Sequence, residues 1–155
     1  MISYIILILS LIMEDALSLV FYGNSLFLPL FLVISLYIIY PLLNGNNKKY
    51  IIICLIAGLI YDIVLGNFIC LNGVIFLILS LVIIKIYENF EISFLNNIFI
   101  TILIICLYYF IKYLLIILCL NKAFNFILLL KNIYSSLIIN TIYSTIFYFV
   151  LKSKK

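Results

Sequence analysis

Ile98-Phe-Ile-Thr-Ile-Leu-Ile-Ile-Cys-Leu-Tyr-Tyr-Phe-Ile-Lys112-Tyr-Leu-Leu-Ile-Ile-Leu-Cys-Leu120 is the stretch whose reading decides the fold. A helix rises about 1.5 Å per residue, so a run of this length crosses a hydrocarbon core about 30 Å thick. Only helices and closed barrels satisfy their own backbone in lipid, and barrel strands show short alternating segments. This run is apolar almost without a break, which predicts a transmembrane helix.

Outward from it, similar runs predict further spans at residues 2–22, 25–43, 50–65, 68–87 and 133–151. Gly23-Asn24 and Gly66-Asn67 read as tight turns, and Asn44 to Lys49 as a polar loop. Glu88 to Asn97 reads as a polar connector. Ala123 to Leu130, bracketed by Lys122 and Lys131, is too short to cross and is expected at the interface. The chain is 69% hydrophobic and 9% charged over 155 residues. A soluble domain holds about 25% charged residues, and one this small could not hide so much apolar surface. The expected fold is therefore an all-α integral membrane protein, a single bundle of about six transmembrane helices. No basic region precedes the first run and no Ala-x-Ala-like site closes it, so no secretory signal peptide is expected.

The net charge of +4 comes from scattered lysines and gives no nucleic-acid signature. Their positions report topology instead. With six spans and the N-terminus inside, Lys48, Lys49, Lys85, Lys152, Lys154 and Lys155 face the cytoplasm and only Lys122 and Lys131 the outside. Both termini are thus expected to be cytoplasmic in an inner-membrane protein. A five-span arrangement, with the acidic first segment not crossing, would move only the N-terminus.

In lipid the polar residues carry the information, because an unpaired charge at mid-membrane costs about 2.5–3.5 kcal/mol or more. Cys54, Gly58, Asp62 and Gly66 are spaced four apart and share one helix face, small apart from a single carboxylate. Such a face lets another helix approach closely. It serves either as a contact face for a partner or ligand, or as a seam within the chain. Lys112 lies at roughly 21–24 Å and Asp62 at roughly 18–20 Å from the cytoplasmic ends of their helices, depths that allow an ion pair. The alternative is that Lys112 snorkels to the outer headgroups. Glu14 and Asp15 lie about as deep as Asp62 if the first helix starts at Met1. The alternative, and the favoured reading, is that they mark where that helix meets the outer interface, with Ala16 to Tyr22 bending along the surface. Ser136, Asn140, Ser144 and Tyr148 form a second stripe, expected to hydrogen-bond between helices. Pro29 and Pro41 are expected to kink or end the second span. Cys54, Cys70, Cys106 and Cys119 are irregularly spaced and read as small buried hydrophobes.

Enzyme chemistry finds little here. The chain has no His, no nucleophile–base arrangement, no phosphate loop and no metal-ligand cluster, so no cofactor is expected. A carrier would be expected to show a matched pair of broken helices around a midplane site, and no pair is evident.

At Gly58-Leu-Ile-Tyr61-Asp62-Ile-Val-Leu-Gly66, followed by Leu71-Asn72-Gly73 and an apolar helix, the sequence resembles the rod shape-determining protein MreD family. Gly58, Asp62 and Gly66 match the family's Gly-x-x-x-Asp-x-x-x-Gly, with Tyr61 before the Asp. Many members carry a further Gly where this chain has Cys70, and an acidic residue after the second-span Pro where it has Leu30. The resemblance implies a six-helix bundle similar in fold to the substrate-binding subunits of energy-coupling-factor vitamin transporters. It also implies a non-catalytic role in cell-wall elongation, binding MreC and, through it, the RodA/penicillin-binding-protein synthase and MreB filaments. By motif, Gly58, Tyr61, Asp62 and Gly66 are the partner-binding or helix-packing candidates; Lys112 joins them on depth alone. The rival expectation is a vitamin-binding subunit of such a transporter. The lone Ala16 on the first helix, where those subunits carry Ala-x-x-x-Ala, favours the MreD-like reading.

Overall fold

The structure, a computed structural model, describes residues 2–21, 27–43, 45–65, 70–91, 93–120 and 125–152. Gly23, Asn24, Gly66, Asn67, Lys122, Lys154 and Lys155 fall outside them. Among the described residues every regular element is helical: α1 Ile2–Val20, α2 Phe31–Ile39, α3 Asn47–Val64, α4 Leu71–Asn89, α5 Phe94–Leu120 and α6 Phe126–Lys152, with a 3-10 turn Tyr40–Leu43 after α2. Four of them (α1, α4, α5 and α6) are long and apolar enough to cross a membrane. This is a multi-pass, all-helical membrane bundle.

The helices alternate in direction. Phe94 at the start of α5 lies against Tyr148 and Phe149 at the end of α6, and Tyr40 meets both Tyr50 and Tyr87. The start of α3 and the end of α4 thus share one end of the bundle, which carries Lys48, Lys49 and Lys85.

The element that organises the bundle is α2. All nine of its residues are buried, and it packs on α1, α4, α5 and α6. Helix begins only at Phe31, inside the expected 25–43 span. Pro29 has no N–H to give and biases Leu28 away from helix, so the chain runs non-helical through 27–30. A helix this short has four orphan N–H and four orphan C=O groups, and none can reach water. Side chains from other helices meet them at both ends. At the N-terminus Glu14 of α1 accepts from Leu32 N, and Asn140 of α6 accepts from Leu30 N. At the C-terminus Tyr50 of α3 donates to Leu36 O and Tyr87 of α4 to Tyr37 O.

Other boundaries also moved. The connector at 88–97 is shorter than expected, because Asn97 is buried inside α5 and donates to Ser144 of α6 at 3.1 Å. Over 126–130 the segment expected at the interface is helical and continuous with the rest of α6. At 27 residues α6 is about 40 Å long, longer than a hydrocarbon core of about 30 Å, so one continuous helix has length enough to extend to the interface. Of the four cysteines only Cys54 is buried in the protein; Cys106 is half-buried, and Cys70 and Cys119 are exposed.

Candidate functional site: a buried polar network

The matched small-residue face of α3 is closed against α4 of the same chain. A Cβ built on Gly58 would lie 2.6 Å from the Asn72 carbonyl oxygen and 2.7 Å from Gly73 Cα. Only a residue without a side chain permits that approach of one backbone to another. One turn further, Asp62 is 6% exposed and reaches the first turn of α4. Its carboxylate accepts from Asn72 N at 2.9 and 3.1 Å, from Asn72 Nδ2 at 2.7 Å and from Gly73 N at 3.2 Å. The residue at the N-cap, Cys70, gives no side-chain bond. Asp62 therefore supplies from α3 the acceptor that an N-cap would supply locally, where negative charge also suits the positive end of the helix.

Asp62 and Lys112 make no direct ion pair. Lys112 Nζ lies 3.4 Å from Tyr108 Oη and over that ring, Tyr108 donates to Asn72 Oδ1 at 3.0 Å, and Asn72 bonds Asp62. Two side chains separate the charges. The fully buried Tyr108 gains hydrogen-bond partners on both sides where two naked ions would each have needed desolvation.

The carboxylate whose partners the sequence did not disclose is Glu14. It is 2% exposed, enclosed between helices of the bundle. Its Oε2 accepts from Leu32 N at 2.9 Å and its Oε1 from the Tyr61 hydroxyl at 2.7 Å. Tyr61 thus joins α3 to α1, while Glu14 joins both to the start of α2. The available signal was the spacing of Ser3, Leu7, Ser10 and Glu14, a buried stripe of helical period. Ser10 continues it by donating to Ser35 of α2 at 3.1 Å.

The α6 stripe is divided. Asn140 grips the segment before α2 through Leu28 O and Leu30 N, and Ser144 bonds Asn97 and Thr101 of α5. Ser136 donates to Ile133 within its own helix, and Tyr148 packs on Phe94. Among the described residues no three His, Cys, Asp or Glu side chains gather as metal ligands. The arrangement is a set of carboxylates, amides and hydroxyls bonded to backbone and to one another, in which Glu14, Asp62 and Asn140 hold helix ends.

The family model described as rod shape-determining protein MreD matches residues 1–153. The chain belongs to the MreD family. Membership places it in the determination of rod cell shape, in a family of shape-determining rather than catalytic proteins. Comparison with curated proteins and with solved structures finds no match for this MreD-family chain.

Proposed function

We propose that this chain is a non-catalytic membrane scaffold of the cell-wall elongation complex, binding MreC and helping to maintain rod shape. Through MreC it would couple to the RodA/penicillin-binding-protein synthase and to MreB filaments. The observation that carries the reading is the family match along nearly the whole chain. The geometry supports it: Glu14 and Asp62 are both committed to capping helices inside the bundle. Gly58, Tyr61 and Asp62 serve this role by holding α3 against α4 and α1. Gly66 belongs to the same motif. The lysines support cytoplasmic termini.

The test is a pull-down of the tagged full chain from native membranes in mild detergent, with mass spectrometry of what accompanies it. Recovery of MreC and the wall-synthesis proteins is expected. Recovery of ATP-binding cassette ATPases with a large membrane coupling subunit would overturn the proposal in favour of a vitamin-capture subunit.

A further inference from the structure

On the outside of the bundle, α1 packs on α2 and α3 packs on α4, leaving a cleft between α1 and α3. This cleft forms a groove of about 510 Å³ with Leu32 of α2 among its lining residues. Ile8 on one wall and Ile52, Ile56 and Ile60 on the other are each 46–60% exposed, and no acidic side chain lines the groove. Its charged group is Lys49, beside the exposed Lys48 at the start of α3, and Tyr4 of α1 also lines it.

We propose that this groove is a binding site for one anionic phospholipid, an acyl chain lying along the isoleucines and the headgroup phosphate at Lys49. Two observations choose this occupant over a partner helix. First, the groove is one-sided in charge, a cation at its interfacial end and aliphatic carbon beyond, which complements an anionic lipid. Second, it runs only from Lys49 to about Ile60, about 16 Å of helix and roughly half the hydrocarbon core. Just past Ile60 the Tyr61–Glu14 hydrogen bond ties α3 to α1 and closes the cleft. A lipid tail ends near the bilayer midplane, whereas a transmembrane helix continues through it. The site is independent of whether the chain binds MreC.

The test is native mass spectrometry of the purified full chain given equimolar phosphatidylglycerol and phosphatidylcholine in mild detergent. One phosphatidylglycerol per chain is expected to be retained in preference. Lys49→Glu, at an exposed position whose side chain makes no cap bond, should cut that preference at least about fivefold. Ile56→Trp, filling the groove from an exposed wall position, should lower retention of both lipids. Equal retention of the two lipids by the parent chain, or unchanged retention in either variant, would overturn the proposal. So would a photo-crosslinker at Ile56 that captures a polypeptide instead of lipid in native membranes.

Discussion

Glu14 on α1 accepts the backbone N–H of Leu32 at 2.9 Å, so the first turn of the central helix is held by a carboxylate from another helix. Tyr61 binds the other oxygen of that carboxylate at 2.7 Å, and three helices meet at one side chain. In lipid no water can replace these bonds, which is why one buried acid is retained at this depth.

Glu14→Ala strands both donors. It is expected to lower stability by about 3 kcal/mol, the cost of leaving two buried donors without their acceptor. Glu14→Gln keeps one carbonyl acceptor and should lose roughly half as much. Unfolding in mixed micelles with increasing SDS, followed by circular dichroism, measures both.

Gly58→Ala should push α3 and α4 apart, because the new methyl meets backbone atoms that cannot rotate away. A loss of about 1–3 kcal/mol is expected even though alanine favours helix. Gly73→Ala is the control: its methyl meets only the Leu59 side chain at 3.1 Å, and the change should fall within about 1 kcal/mol of neutral. Equal effects in the same unfolding assay would contradict the proposed seam.

Cys70 sits at φ 68°, ψ 0°, a left-handed conformation that glycine adopts freely and other residues adopt at a cost. Cys70→Gly is therefore expected to stabilise the protein by about 1 kcal/mol. A raised thermal midpoint in detergent checks this, and a fall would show that the thiol contributes something the backbone geometry does not.

Asn140→Leu keeps the size of the side chain but removes its bonds to Leu28 O and Leu30 N. A loss of about 2 kcal/mol is expected, since two buried backbone groups are left unmet. Limited proteolysis should also cut the 27–30 segment faster than in the parent chain.

Most of the bundle was legible in the sequence because a bilayer fixes how long an apolar run must be. Asp62 and Gly58 were legible because one residue is costly in lipid and the other is small, four positions apart. What escaped was α2. Lipid and protein interior are equally apolar, so 25–43 reads as one span whether it crosses or is broken and buried. The interruption at Pro29 was expected from proline's missing N–H, but not that Asn140 would hold it, nor that Glu14 would hold Leu32. The link from Lys112 to Asp62 through Tyr108 and Asn72 was likewise hidden, since matched depths say nothing of what stands between two charges. No matched pair of broken helices was evident in the sequence; the structure shows a non-helical stretch, 27–30, inside the expected second span. The likeness to energy-coupling-factor subunits remains a family-level expectation.

The hydrogen bond from Leu30 to Asn140 joins residues 110 positions apart. During synthesis, α2 emerges long before the side chain that completes its cap, and a ribosome adds only about 5–20 residues per second. Glu14 is made before α2 and is at hand for Leu32, but Leu30 N and Leu28 O wait several seconds for their side-chain partner. The last helix therefore acts as the latch of the whole assembly, and a chain truncated before Asn140 carries a visible mark of being unfinished.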